Sequence, residues 1–522
     1  MRKHFRPTVH SSPKSFPLFG KTALLSLSAA LALAVSCSQE SAQTEFEKGL
    51  AAYNGQQYEQ AVELFSRAAK RGHAEAQFNL GVCHADGNGV PRNDAEAVKW
   101  YQEAAKQGHP RAQCNLGACY DEGRGVGRDR TEAARWYRLA AEQGMPLAQY
   151  DLGLCYEFGK GVPKDGEKAI KWYRQAAEKG LPDAQCRLGL CYLGWVGVNF
   201  YNLNEAVEWL RKAAEQGHAE AQFRLGHNYI EGYGVPKDES QAVAWYRKAA
   251  SQGYAEAQNH LGVCLVTGTG VGKDEVEAVA WFTKGAEQGH AEAQYNLGNC
   301  YIQGIGIPKD EEAAVNWYRK SAEQGLAGAR HNLAACLMAG AGCERDEAEA
   351  ARLFRIAAEQ GDASAQCALG KVYTNGAGVQ KDDVEAARWY RRAAEQGNAE
   401  AQNLLGLCLI MGIGVQEDPD EAVKWHTRAA EKGIPEAETC LGLASLNGRG
   451  APLDHAKAVE WFRKAAGKGF HQGEYWLGFC YENGMGVARD LNEAKNWYRK
   501  AAGQGLQEAQ DALARLKHPQ SD

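Results

Sequence analysis

The chain has 522 residues, more than one hydrophobic core accommodates, because cores stop growing at roughly 250 to 300 residues. Its apolar share of 44% is ordinary for a folded protein and excludes disorder throughout. The formal net charge is −6, and the basic residues are interspersed with acidic ones, which excludes the basic stripe that a nucleic-acid partner requires. We therefore expect several domains or a repeat array, and no nucleic acid among the partners.

The first 36 residues have the composition of a secretion signal. They contain five basic residues and no acidic one, and they end in an apolar run over residues 22–35. This run is shorter than the roughly 20 residues that a membrane-spanning helix needs. Removing the five cations takes the net charge from −6 to about −11. We predict a signal peptide over residues 1–36, followed by a flexible linker over 37–44.

The signal ends in Ala34-Val35-Ser36-Cys37, which resembles a bacterial lipobox. The resemblance implies that Cys37 is lipidated and that the protein is a membrane-anchored lipoprotein facing the periplasm. By the same resemblance, Ser38 rather than an aspartate favours the outer membrane. The alternative is ordinary cleavage after Ser36, because Ala34 and Ser36 also fit a small-x-small site. The protein would then be soluble in the periplasm or secreted.

A repeat of 36 residues runs through the rest of the chain. Tryptophan recurs at this spacing, with one interval of 37, and Leu64 and Leu353 fill two further places in the same column. The tryptophans of the column are Trp100, Trp136, Trp172, Trp209, Trp245, Trp281, Trp317, Trp389, Trp425, Trp461 and Trp497. A leucine column, usually followed by glycine, keeps the same period from Leu80 to Leu477. One repeat therefore contains two recurring elements.

Both elements have helical periodicity, since AEAQFNLGVCHADG and DAEAVKWYQEAAKQG place apolar residues three and four apart. An aspartate such as Asp129 precedes the second helix, where its carboxylate can accept free amide hydrogens. A glycine such as Gly144 follows it, where a left-handed conformation favours glycine. Neither helix can bury its apolar face alone, so the repeats must stack. We predict an all-α fold, an α/α solenoid (superhelix) of about thirteen antiparallel helix pairs with a C-terminal capping helix.

The columns AEAQxxLGxCY, GxGVPKD and EAVxWYRKAAEQG are similar to the Sel1-like repeat, a relative of the tetratricopeptide repeat with a longer loop between its helices. The resemblance implies twelve such repeats of about 36 residues over 73–505. Residues 45–72 are predicted as a tetratricopeptide-like first repeat, with a short turn around Asn54-Gly55. Residues 506–517 are predicted as the capping helix, and 518–522 as a disordered tail.

No catalytic or metal-binding residue and no cofactor is predicted. One repeat column holds the cysteines Cys83, Cys119, Cys155, Cys191, Cys264, Cys300, Cys336, Cys408 and Cys480. Equivalent atoms of stacked helix pairs lie on the order of 10 Å apart, beyond the limit of about 7 Å between bridged Cα atoms. We therefore predict buried apolar thiols. The junction histidines His73, His109, His218 and His290 are likewise too far apart to bind one metal ion.

The first helices are the predicted site of partner binding, because in tetratricopeptide-like arrays they line the concave face. The candidate groove residues that the resemblance implies are Leu193, Ile230, Val266, Ile302, Met338, Ile410 and Leu446, together with Phe78, Tyr150, Phe223 and Tyr295. Such adaptable apolar and aromatic side chains are typical of protein-binding surfaces. In the alternative interpretation, they pack beneath the adjacent loop or fill the seam between repeats.

One loop departs from the pattern. The segment LGWVGVNFYNLN (193–204) has an extra residue and lacks the usual aspartate. Its apolar side chains Trp195, Phe200 and Tyr201 are a candidate docking loop for a partner. A local repair of the packing is the alternative interpretation.

The predicted function is that of a non-catalytic scaffold or adaptor that binds proteins or peptides in the bacterial cell envelope. One alternative is an enzyme, because some cysteine-rich secreted Sel1-like proteins have been described as binding or hydrolysing β-lactams. Most repeats here contain one column cysteine without a partner, which departs from that subfamily. A second alternative is peptidoglycan or glycan binding through the groove aromatics.

Overall fold

The computed structural model describes residues 39–194 and 201–517, and all regular structure in these ranges is α-helical. The helices, numbered α1 to α27 in chain order, are mostly 13 residues long. From α1 to α26 they alternate as the first and second helices of thirteen repeats, and α27 follows alone. The predicted all-α fold of paired helices is confirmed.

The chain divides into two compact units, and the first of them ends at Asp238. It contains α1 over residues 39–54 and ten further helices. These are α2 Tyr58–Lys70, α3 Ala74–Asp86, α4 Asp94–Lys106, α5 Pro110–Glu122, α6 Arg130–Glu142, α7 Pro146–Phe158, α8 Gly166–Glu178, α9 Pro182–Tyr192, α10 Leu203–Glu215 and α11 Ala219–Glu231. From α2 to α11, successive helices of this unit pack against one another.

The second unit begins at Glu239. Its helices are α12 Glu239–Ser251, α13 Ala255–Thr267, α14 Glu275–Glu287, α15 Ala291–Gln303, α16 Glu311–Glu323, α17 Ala327–Ala339, α18 Glu347–Glu359, α19 Ala363–Asn375, α20 Asp383–Glu395, α21 Ala399–Met411, α22 Pro419–Glu431, α23 Pro435–Asn447, α24 His455–Gly467, α25 His471–Asn483, α26 Leu491–Gly503 and α27 Gln507–Lys517. Successive helices pack in series here too, and first helices such as α23 and α25 also contact one another. The first helices thus form one layer, and the second helices form the other.

Local hydrogen bonding fixes where the helices begin and end. Asp310 accepts a bond from the amide of Ala313 at 2.9 Å, which caps α16 and confirms the predicted role of the column aspartate. The first helix of the same repeat ends at Gly304, whose left-handed φ of 73° lets its amide donate to the carbonyl of Cys300 at 2.8 Å. Each repeat therefore carries its own start and stop signals.

The leucine–glycine column lets the two helices of a repeat approach closely. A Cβ atom added to Gly298 on α15 would lie 2.6 Å from the ring of Tyr318 on α16, closer than atoms can pack. Tyr318 is fully buried, and so is Phe462, which lies against Gly442 in a later repeat. Burial of one such aromatic side chain contributes roughly 2–3 kcal/mol. Glycine is required here because it leaves space for the ring of the second helix.

The connecting loops bind each repeat to the preceding one. A Cβ atom on Gly306 would overlap the carbonyl oxygen of Glu275, which is the first residue of the preceding second helix, α14. Gly306 also has a φ of 65°, so both its conformation and its surroundings require glycine. The loop backbone is therefore fitted against α14, and this contact fixes the spacing between the two repeats.

The predicted flexible linker over 37–44 is wrong from residue 39 onward, because α1 already begins there. Ala42 is 2% exposed, and together with Phe46, one helical turn later, it packs against Phe65 of α2. Arg71 donates a hydrogen bond to Glu45 at 2.6 Å and holds the outer side of α1. These contacts order a segment whose polar composition resembles that of a linker.

The signal peptide over 1–36, Cys37 and the tail over 518–522 lie outside the described residues. In the part of the chain that the structure describes, none of the helices combines the length and the apolar character needed to cross a bilayer.

Candidate partner-binding surface

The predicted groove residues lie on the first-helix layer, but their side chains are turned partly toward the core. Ile302 and Met338 are half-buried and pack against the core around α16 to α18. Ile410 is also half-buried, and Leu446 is only 7% exposed. The other members of the column, Leu193, Ile230 and Val266, are half-buried as well. Each side chain therefore leaves only part of its surface to a partner.

The predicted groove aromatics pack between helices. Phe78 and Phe223 are buried, and the ring of Phe78 stacks on His109 with centroids 4.9 Å apart. Tyr150 and Tyr295 are half-buried, and the ring of Tyr295 is tilted against another aromatic ring of its own repeat. These rings therefore contribute to the contacts between elements, and the two tyrosines keep part of their surface free.

Of the candidate docking loop over 193–204, the structure describes only the two ends, 193–194 and 201–204. Tyr201 is 74% exposed, and its ring lies against the backbone of Gly194. Trp195 and Phe200 lie outside the described residues.

A further apolar surface lies on the first helices α21, α23 and α25 of the second unit. It consists of Leu407, Met411, Leu443, Trp476 and Phe479, which we call the C-terminal apolar surface. Met411 is 60% exposed and the other four are half-buried. Trp476 and Phe479 meet edge to face with centroids 5.4 Å apart. We did not predict this surface, although three of its members lie in one column, one residue after the leucine–glycine pair.

Two carboxylates on α7 in the first unit are mostly buried. Glu157 on α7 is buried, accepts a hydrogen bond from the hydroxyl of Tyr173 at 2.5 Å, and lies 3.4 Å from the guanidinium of Arg187. On the same helix, burial raises the pKa of the Asp151 carboxyl to about 7. The thiol of Cys114 is its hydrogen-bond donor, at 3.7 Å. Both carboxylates are therefore engaged by neighbouring side chains of the first unit.

The nine column cysteines are free thiols, and all nine are buried in the helix pairs, as predicted. Burial raises the pKa of Cys83, Cys264 and Cys300 to about 11 in each case. At neutral pH these thiols are therefore protonated, and a protonated thiol is a poor nucleophile.

The junction histidines cap helices. Nδ1 of His290 accepts a hydrogen bond from the amide of Ala293 at 3.2 Å, and His73 does the same for Ala76 at 3.1 Å. Asn398 takes the same role in a later repeat. Within the described residues, no group of three or more His, Cys, Asp and Glu side chains is arranged to hold a metal ion.

Comparison with known proteins identifies the repeat. The model of the Sel1 repeat matches thirteen consecutive segments, which are 47–73, 74–109, 110–145, 146–181, 182–218, 219–254, 255–290, 291–326, 327–362, 363–398, 399–434, 435–470 and 471–506. Together they cover most of the chain, including the first repeat with its short turn.

The solved structure of a similar protein agrees with this match. The crystal structure of c5321, a protective antigen of uropathogenic Escherichia coli with an SLR fold, is 34% identical, covers 88% of this chain and 98% of its own, and superposes with a TM-score of 0.73. A Sel1 repeat protein from Oxalobacter formigenes is also 34% identical, over 59% of this chain and 89% of its own, with a TM-score of 0.44.

A curated relative is the exopolysaccharide production negative regulator of Rhizobium leguminosarum bv. viciae, which is 38% identical over 94 residues. The match covers 16% of this chain and 35% of that protein, so the chain spans about a third of the relative's length. Because the repeat model matches most of the chain and the c5321 structure has the same fold, this protein belongs to the Sel1 repeat family.

Proposed function

We propose that the chain is a non-catalytic scaffold that binds partner proteins or peptides on its first-helix layer. Proteins built from Sel1 repeats act as protein-interaction scaffolds. The observation that carries the proposal for this chain is the C-terminal apolar surface, because partly exposed apolar and aromatic side chains on three successive first helices are typical of interaction sites.

The second-helix layer differs in the way it covers its large side chains. In most repeats a cation three residues after the column tryptophan lies over the indole ring, as Lys464 lies over Trp461 with Nζ 4.0 Å from the ring centroid. Lys500 covers Trp497 in the same way at 3.8 Å. This layer therefore presents charged side chains to solvent, and an apolar partner surface fits the first-helix layer better.

The variant Met411→Glu tests the proposal, since Met411 is the most exposed member of the C-terminal apolar surface. Its change to glutamate places a charge on the surface without opening a cavity in the core. Val384 on the second helix α20 is 48% exposed and offers a matched control, Val384→Glu. The purified wild type and both variants would be used to capture proteins from envelope extracts, with mass spectrometry as the readout.

We expect the wild-type protein and Val384→Glu to capture the same proteins, and Met411→Glu to lose them. Capture that is equal for all three would place the binding surface elsewhere. If the wild type captures no protein at any concentration, the scaffold function is contradicted. Turnover of a chromogenic β-lactam by the purified protein would contradict its non-catalytic character.

The proposed location is the periplasmic side of a bacterial membrane, with a lipid anchor at Cys37. Of the two membranes, Ser38 favours the outer one. The support is the lipobox-like sequence before Cys37. Globomycin blocks the processing of lipoprotein signals, so we expect the full chain to accumulate unprocessed when it is present. The variant Cys37→Ala should be released from the membrane fraction, and its continued membrane attachment would contradict the anchor.

A further inference from the structure

The repeat over 327–362 departs from the commonest residue at four columns. Arg330 replaces the glutamine of the first helix, and Leu337 replaces a residue that is tyrosine in most repeats. In the second helix, Leu353 replaces the tryptophan, and Ile356 replaces the cation that covers it. All four substitutions lie on two consecutive helices, α17 and α18.

In neighbouring repeats the side chains of these columns have partners. Gln294 donates to the carbonyl of Ala286 at 3.1 Å and accepts a bond from Gln324 at 2.8 Å. Arg355 donates to the hydroxyl of Tyr373 in the next repeat at 2.7 Å. The changes to Arg330 and Leu337 remove such hydrogen bonds, and the changes to Leu353 and Ile356 remove the cation–indole contact that Lys320 and Trp317 form in the preceding repeat.

A cavity of about 480 Å³ lies at this place, between α16, α17 and α18. Its apolar wall consists of Leu333, Leu337, Leu353 and Ile356. The first three of these are buried, so they form a fixed floor. The volume falls within the range of about 300–1,000 Å³ that is usual for small-molecule sites.

Two arginines that line the cavity, Arg319, which is exposed, and Arg330, which is half-buried, form no ion pair within the described residues. Among the described residues, neither Arg319 nor Arg330 has a carboxylate within ion-pair distance or a side-chain hydrogen bond. Arg319 occupies the column in which Arg355 donates to Tyr373, but its counterpart on α17 is Leu337. The loss of the tyrosine hydroxyl therefore leaves the guanidinium of Arg319 free.

The carboxylates that line the cavity are mostly engaged. Glu349 forms a two-pronged ion pair with Arg352, with both distances 2.6 Å. Asp346 caps α18 by accepting the amide of Glu349 at 2.9 Å. Glu323 is the remaining carboxylate, so two free guanidinium groups face one free carboxylate.

We propose that this cavity binds an aliphatic carboxylate, with the carboxylate between Arg319 and Arg330 and the aliphatic part on the leucine floor. Guanidinium groups bind carboxylates through paired, charge-assisted hydrogen bonds, and a nearby apolar wall strengthens them by excluding water. The ligand is either a free short-chain acid or the C-terminal residue of a peptide, since both have this chemistry. The cavity is separate from the C-terminal apolar surface, which lies on α21, α23 and α25.

Isothermal titration calorimetry of the full chain tests this site with three probes. N-acetyl-L-leucine represents a peptide C-terminus, isovalerate represents a free acid, and N-acetyl-L-leucine amide lacks the carboxylate. Two variants restore the residues of the other repeats, Arg330→Gln and Leu353→Trp, so they are expected to fold. Arg391→Gln is the matched control, because Arg391 occupies the column of Arg319 two repeats later and binds Glu421 at 2.6 Å.

We expect at least one of the two carboxylates to bind and the amide not to bind. Binding of both assigns the site to free acids, and binding of N-acetyl-L-leucine alone assigns it to peptide ends. Arg330→Gln should weaken the binding about tenfold or more, Leu353→Trp should abolish it by filling the cavity, and Arg391→Gln should leave it unchanged. The proposal would be overturned if the amide bound as well as the carboxylates, or if both cavity variants bound as the wild type does. It would also be overturned if no probe bound at concentrations up to about 10 mM.

Discussion

Gln143, which directly follows α6, donates a hydrogen bond from Nε2 to Oε1 of Gln113 on α5 at 2.7 Å. Gln113 in turn donates its own Nε2 to the carbonyl of Ala105 on α4, in the preceding repeat, at 3.2 Å. One buried amide thus connects three successive helices. The same glutamine pair recurs as Gln107–Gln77, Gln216–Gln185, Gln288–Gln258, Gln324–Gln294 and Gln396–Gln366. Buried polar bonds of this kind fix the register of each repeat on the next.

The variant Lys432→Gln is predicted to stabilise the protein. Lys432 occupies the place of the donor glutamine, and the Oε1 atom of the buried Gln402 has no partner among the described residues. A glutamine at 432 can supply the missing bond, so the free energy of unfolding should rise by about 1 kcal/mol. Urea denaturation followed by circular dichroism measures it. A fall in stability would show that the bond from Lys432 to the Gly397 carbonyl contributes more than a bond to Gln402 does.

The same substitution is predicted to have the opposite effect one repeat later. Lys468 lies 2.7 Å from the buried carboxylate of Glu438, which replaces the column glutamine. Lys468→Gln leaves this carboxylate without a cation and should lower the free energy of unfolding by about 1–2 kcal/mol, since Lys468 is itself partly exposed. The double variant Glu438→Gln/Lys468→Gln restores the amide pair, so it should recover this stability in the same urea experiment. No recovery would contradict the interpretation.

Two glycines of one loop are predicted to differ in their tolerance of alanine. Both have positive φ, but a Cβ atom on Gly304 meets nothing closer than 3.6 Å, whereas one on Gly306 overlaps the Glu275 carbonyl. Gly304→Ala should cost about 1 kcal/mol from its conformation alone, and Gly306→Ala should cost at least about 2 kcal/mol more. Thermal and urea denaturation compare them. Equal costs would mean that the loop moves away from α14 without loss.

Stability is predicted to fall at acidic pH through His426. This ring replaces the column tyrosine of α22, is buried against Gly406, and accepts no bond at Nε2 from the described residues. Burial lowers the pKa of His426 to about 4, so the native state holds the neutral ring. In the unfolded chain the histidine binds its proton near pH 6.5. The free energy of unfolding should therefore decline as the pH falls from about 6.5 to 4.

The variant His426→Phe should remove this part of the pH dependence, because phenylalanine does not titrate. Phe462 fills the equivalent space against Gly442, so the variant is expected to fold. The midpoint of thermal unfolding, measured from pH 4 to 7.5 for both proteins, gives the comparison. Parallel curves would show that other groups cause the acid sensitivity.

The helices and their ends were predictable from the sequence because local physics determines them. Asp310 caps its helix through atoms three residues away, and Gly304 ends one by its own backbone conformation. The hydrogen bonds that connect Gln143, Gln113 and the carbonyl of Ala105 were not predictable in this way, since they depend on where three helices from two repeats meet. The ordered start of α1 was missed for the same reason, because Ala42 becomes apolar core only against Phe65.

The sequence was sufficient to predict which layer of helices carries the candidate surface, but not which residues form it. The sequence places Ile410 and Leu407 on the same first helix, less than one turn apart. The angle at which α21 packs on its neighbours decides which of them faces the core, and this angle does not follow from periodicity alone. Trp476 and Phe479 gain importance from their edge-to-face contact, which only the structure shows.

Site-specific photo-crosslinking tests most directly whether the first-helix layer binds partners. A photoreactive amino acid would replace Met411 on α21 or Val384 on α20, in the full chain and in its own cell envelope. If the first-helix layer binds partners, position 411 should give crosslinks to another protein and position 384 should give none. Crosslinks from position 384 alone, or from neither position, would contradict it.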